Sequence, residues 1–181
     1  MEKYSKSVCN LKHEFVKIYK GNSHTTEILP NTYDKSFQIE SHHLSLLYEF
    51  LDANPIYSNH ISEKISNIDY TIFEGDLNNY WIDSIKHDTS YAPFYPTWML
   101  SAWGLVLNAR TLGFEQIIDI GSGDGRIAYC GKVLGLDSIS IEIDENLTNL
   151  QRKISLKTGV DFNPVCSDAT NYDFKKIPSK K

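Results

Sequence analysis

Apolar residues recur along this chain in two rhythms, and the change from one to the other divides it. In the first ninety residues, Leu44, Leu47, Tyr48 and Leu51 fall on one face of a helix with a 3.6-residue period. Ile56, His60, Ile61, Ile65 and Ile68 continue that spacing and predict another helix. Residues 12–20 alternate in part, with Phe15, Ile18 and Tyr19 as apolar positions, and suit either a strand or a short helix. Rich in Ser, Asn, His and Tyr and without an internal repeat, residues 1–90 read as a mainly helical N-terminal extension.

From residue 91 onward, helix and strand patterns alternate. Leu100, Trp103, Val106 and Leu107 line a helix that ends at Leu112-Gly113. Ile117, Ile118 and Ile120 form a short β-branched run suited to a strand covered on both faces of a parallel sheet. Over residues 126–134 a helix gathers Ile127, Cys130, Val133 and Leu134, and Gly135 is its C-terminal signal. Residues 138–144 alternate small polar and isoleucine side chains as a strand does. Leu147, Leu150 and Ile154 then stripe a helix that ends at Thr158-Gly159, and residues 162–169 read as a third strand. This succession of βα units predicts an α/β half-domain over residues 91–181.

The junction between the first of these strands and its helix carries the candidate chemistry. Ile117-Ile118-Asp119-Ile120-Gly121-Ser122-Gly123-Asp124-Gly125-Arg126 packs an acidic residue and three alternate glycines into one turn. Glycines there allow positive φ and remove the Cβ atoms that would hold a ligand off the backbone, and the exposed N–H groups of a helix N-terminus favour an anionic group. A dinucleotide fingerprint, G-x-G-x-x-G, fails here because Arg126 stands where its third glycine belongs. Glu142 closes the next strand about 20 residues on, where a carboxylate can accept from both hydroxyls of a ribose. Asp144 better suits the N-cap of the following helix.

The pattern D-x-G-x-G-x-G at residues 119–125 resembles the first motif of class I S-adenosylmethionine-dependent methyltransferases. That resemblance implies a Rossmann-like parallel sheet with helices on both faces. It also implies S-adenosyl-L-methionine as cofactor, its methionine end held by Asp119, Gly121, Ser122, Gly123 and Gly125, its ribose by Glu142, and its adenine near Asp168 and Ala169. Upstream, Tyr91-Ala92-Pro93-Phe94-Tyr95-Pro96-Thr97 is a stiff aromatic strap held extended by two prolines. Strap, helix and glycine loop in this order look like the small seven-strand protein lysine methyltransferases, archaeal and mitochondrial, and more distantly the telomeric-silencing histone enzymes. Their example implicates Tyr91, Phe94, Tyr95 and Thr97 in a lysine channel, with a protein bearing an accessible lysine as substrate. No residue is identified as a general base. The family's sheet has seven strands, and its fourth should begin just after Phe174, so the chain is expected to carry only the first three and to be C-terminally truncated. An uncovered sheet edge of this kind predicts association in solution. A cofactor-binding or partner-binding module without catalysis, or methylation of a small molecule or RNA, are the competing expectations.

Composition narrows the partners. The 181 residues are 41% hydrophobic and 23% charged with a net charge of -5, which argues against a broad nucleic acid footprint. Lys175-Lys176 and Lys180-Lys181 read as a solvated tail. Cys9, Cys130 and Cys166 form no C-x-x-C pair, fit a reducing cytoplasm, and place Cys130 and Cys166 among the core hydrophobes. There is no run of 18 apolar residues and no apolar leader, so neither a membrane span nor a secretion signal is expected. His42-His43 lacks a third ligand at supporting spacing, and no metal site is expected there.

Overall fold

A computed structural model describes residues 2–80 and 94–177. Tyr4, Val8, Leu11 and Phe15 recur at three- and four-residue steps, so the N-terminal segment forms helix α1, Glu2–Ile18, with that stripe buried. Most of the ambiguous stretch after residue 12 is therefore the end of a helix. Burying these side chains is worth roughly 1.5–3 kcal/mol each. The Tyr4 hydroxyl donates to the Leu100 carbonyl at 2.5 Å, and its ring lies where a Cβ on Gly104 would stand.

Strand β1, Thr25–Pro30, and helix α2, Ser41–Ala53, follow, the latter burying Leu44, Leu47, Phe50 and Leu51 much as its period predicts. Residues 56–68, expected to be helical, instead run from the turn before strand β2, Tyr57–Ile65, through β2 and a second turn to the start of β3, Ile68–Gly75. The reason lies in the spacing: residues four apart share a face in a strand as well as in a helix, so Ile61 and Ile65 fit both periods. Ser66 and Asn67, with φ of 49° and 69°, make the two-residue turn that pairs Ile65 with Ile68. The extension thus adds a three-stranded antiparallel sheet, in the order β1-β3-β2, to its helices.

The second half is the α/β arrangement that the pattern predicts. Helix α3, Met99–Thr111, leads to strand β4, Gln116–Ile120; helix α4, Arg126–Val133, strand β5, Asp137–Glu142, helix α5, Glu145–Thr158, and strand β6, Pro164–Cys166, complete it. The three strands are parallel, in the order β4-β5-β6, and helices flank them. Asp144 caps α5 by accepting from the Leu147 N–H at 3.0 Å, and Gly159 ends it at a φ of 69°. Strand β6 is shorter than expected, and Cys166, its last residue, is exposed rather than buried, since none of the described residues covers it; Cys130 is in the core.

One apolar cluster runs through both halves, joining Ile28, Leu47 and Phe50 of the extension to Trp103, Tyr129, Ile154 and Phe162. Helix α2 packs on α4 and α5, and α3 on α1, β1 and α4. The extension therefore backs the glycine-loop unit directly. Strand β4, expected to be covered on both faces, is open on one: Ile118 and Ile120 are 39% and 57% exposed, and β4 has only β5 as a hydrogen-bonded neighbour among the described strands. No helix among the described residues is long and apolar enough to cross a membrane.

Candidate functional site

Strand β4 delivers Asp119 to the sheet's C-terminal edge, and the chain then turns over Gly121, Gly123 and Gly125, all left-handed with φ of 69°, 59° and 81°. These conformations suit glycine because a Cβ would crowd the backbone. The Gly121 and Ser122 N–H groups donate back to the Ile141 carbonyl at 2.9 and 3.3 Å, which ties the loop to β5. Among the described residues, apart from Gly121 and its two chain neighbours, no atom lies within 4 Å of where a Cβ on Gly121 would sit, so this side is open. At Gly125 the same position is closed by Phe162 and Gln151.

Glu142, at the end of β5, faces this loop. Its Oε2 accepts from the Gly123 N–H at 2.7 Å and its Oε1 from the Asp144 N–H at 3.0 Å, while the side chain is nearly buried at 6% exposure. Each oxygen keeps a second lone pair for a further donor. Asp119 Oδ2 is buried and has no hydrogen-bond partner among the described residues. Burial pushes the Asp119 carboxyl up to about 6; the Ala128 N–H works against that rise, and the negative charges of Asp124 and Glu142 add to it. A carboxylate so placed favours a cationic group.

The strap reaches this loop through some of its residues and not others. Phe94 lies against Gly123, where its ring occupies the position a Cβ would take, and the Thr97 carbonyl accepts from Arg126 Nη1. Tyr95 is 67% exposed and the Thr97 side chain also faces outward. Tyr91 lies outside the described residues. Asp168 and Ala169 follow β6 beside Glu142, since the Ser167 N–H donates to the Glu142 carbonyl at 2.9 Å. The Asp168 carboxylate accepts from Thr170 N and Oγ1 at 2.8 and 2.7 Å and from Asn171 Nδ2 at 3.2 Å, bracing the turn there.

No family model and no curated protein matches this chain. The site therefore stands on its own geometry, and two sets of residues that the motif does not contain hold that geometry in place. Gln151 of α5, fully buried, donates through Nε2 to Ser122 Oγ at 2.9 Å and to the Gly123 carbonyl at 2.7 Å, while its Oε1 accepts from the Ser140 hydroxyl at 2.7 Å. The signal for it in the sequence was an amide interrupting the Leu147, Leu150, Ile154 stripe.

The second set centres on Arg126, buried at the start of α4. Its guanidinium pairs with Glu27 Oε2 of β1 and with Asp124 Oδ2, both at 2.5 Å, and donates to the Tyr57 hydroxyl at 2.9 Å. Asn54 adds a donor to Asp124 Oδ2 at 3.1 Å. Burial alone would lower the Arg126 guanidinium; Asp124, Tyr57 and Glu27 outweigh it and hold it above its ordinary value. Burial pushes the Glu27 carboxyl up to about 7 even beside Arg126, because one guanidinium serves two carboxylates in a dry interior. No local pattern announces a partnership between residues 27 and 126.

Proposed function

We propose that this chain binds S-adenosyl-L-methionine at the C-terminal ends of β4 and β5 and acts as a methyltransferase, with a lysine side chain of a protein as the acceptor. The observation that carries the reading is the pairing of a buried Asp119 oxygen, without a hydrogen-bond partner among the described residues, with a glycine loop that those residues leave open at Gly121. When bound, the cofactor supplies a methyl group on a sulfonium for direct displacement. Asp119 would accept from its ammonium group, the backbone over Gly121, Ser122, Gly123 and Gly125 would lie against its methionine end, and Glu142 would accept from its ribose hydroxyls. Asp168 and Ala169 would border the adenine.

On the acceptor side the chain's contribution is alignment and desolvation. A lysine must arrive neutral although its ordinary pKa is about 10.4, and an apolar, aromatic channel favours the neutral amine. Phe94, which packs on Gly123, would line such a channel together with Tyr91, Tyr95 and Thr97 of the same strap. Positioning within attack distance, rather than a strong base, accounts for the rate. A reducing cytoplasm suits the three free cysteines.

Calorimetric titration with S-adenosylhomocysteine tests the reading. Glu142→Ala should lose charge-assisted hydrogen bonds worth about 1.5–3 kcal/mol, a ten- to hundred-fold weakening. Unchanged affinity removes Glu142 from the site, and no binding by the wild-type chain overturns the cofactor reading. The exposed Ile118 and Ile120 on β4 favour one second reading, a cofactor-binding module completed by a partner. Retention of the cofactor without transfer of labelled methyl groups to a lysine-containing protein would support it.

A further inference from the structure

The start of α2 brings together three potential metal donors, Glu40 just before the helix and His42 and His43 in its first turn. Glu40, His42 and His43 place their ligand atoms within 4.8 Å of one another, so Glu40 is the third donor that the His42-His43 pair lacked on paper. The two imidazole rings lie 3.8 Å apart between centroids, and His42 Nδ1 is 3.4 Å from Glu40 Oε2.

We propose that Glu40, His42 and His43 form a binding site for a divalent transition-metal ion of the zinc type, on the surface and separate from the glycine loop. Two imidazoles and one carboxylate are the donor set of zinc, nickel, cobalt and copper; calcium and magnesium prefer oxygen donors throughout. Neighbouring structure leaves the donors available and holds them in place. Glu40 is the N-cap residue of α2, yet its side chain makes no capping hydrogen bond. His43 packs against the fully buried Trp103, with ring centroids 5.2 Å apart. Helix α2 itself is anchored by Leu44 and Leu47 in the core and by the Tyr129 hydroxyl on the Leu46 carbonyl at 2.8 Å. The positive end of the α2 dipole opposes a cation here, and the Glu40 carboxylate offsets it. Water would complete the coordination, since Glu40 and His42 are exposed. A bound ion would fasten the chain entering α2 to the first turn of that helix.

The test is equilibrium dialysis of the full chain against zinc chloride, with the metal bound per chain read by atomic absorption. The wild type should hold one ion. His42→Ala with His43→Ala should lose it, and Glu40→Gln should weaken it at least about tenfold, whereas His24→Ala and His60→Ala should leave it unchanged. The His42→Gln, His43→Gln pair, with polar replacements that keep the fold, should lose the ion likewise, and retention of the ion there overturns the proposal. Substitution with cobalt(II) should give weak d–d absorption and no thiolate charge-transfer band. No binding at about 1 mM zinc, binding that survives loss of both histidines, or a thiolate band from the exposed Cys9 and Cys166 each overturns the proposal.

Discussion

Replacing Arg126 by methionine removes the single positive charge from a buried cluster and leaves Glu27 and Asp124 without their counter-ion. Both carboxylates sit 2.5 Å from the guanidinium, so neither can exchange it for water without opening the core. Removing one partner of a buried pair costs about 3–5 kcal/mol, against a total stability of about 5–15 kcal/mol for an ordinary domain. For a chain of this size the melting temperature should fall by about 6–20 °C. Urea unfolding followed by circular dichroism measures the loss, and its pH dependence identifies the cause. Glu27 titrates at about 7 in the folded chain against an ordinary 4.5, so the folded state holds that proton more tightly than the unfolded one. Its contribution is favourable in acid and is lost as pH rises from 4.5 to about 7. Without Arg126 the Glu27 carboxyl moves further up, so the destabilisation should be greatest near neutrality and shrink towards about pH 5. Adding Glu27→Gln to Arg126→Met should recover part of the loss. A loss below about 1 kcal/mol, or one that grows on acidification, would refute the argument that a buried, shared charge is what joins these elements.

Three further outcomes follow from the site. Binding of S-adenosylhomocysteine should weaken up to about tenfold per pH unit below about 6, where Asp119 takes up a proton, and Asp119→Asn should flatten the profile; a flat wild-type profile between about pH 5 and 7 would exclude contact with the cationic end. Gly121→Ala should cost only the left-handed backbone, about 1–2 kcal/mol, while Gly125→Ala should cost a further 1–3 or so because its Cβ would meet the buried Phe162; equal losses in urea unfolding would contradict the packing. Ile120→Lys on the exposed face of β4 should reduce concentration-dependent association in sedimentation experiments, and unaltered association would place the contact elsewhere.

What could be read from the sequence was whatever its neighbours decide. The glycine loop, the β4 run, the stripes of α3 and α5, and the Asp144 cap each depend on residues within a few positions, and the structure places each close to where the pattern did. The hairpin of β2 and β3 was misread because β2 is exposed along most of its length, which removes the alternation that marks a half-buried strand. Glu40 stands only two residues before His42, but that spacing alone does not say that the three ligand atoms converge. Gln151 was visible as an oddity in an apolar stripe, but its target, the loop 28 residues earlier, was not. Glu27 and Arg126 lie 99 residues apart, and neither carries a local mark of the other. Cofactor chemistry was thus suggested by a motif, whereas the supports of that motif became visible only in three dimensions.

The Arg126 cluster has a consequence for how the glycine loop could be borrowed or lost. A fragment beginning at residue 91 would keep every residue of the motif and still shed Glu27, Asn54 and Tyr57, three of the groups around Asp124 and Arg126. The loop's sequence is portable, but its charge balance is not: transplanting it means transplanting a strand from the opposite end of the chain.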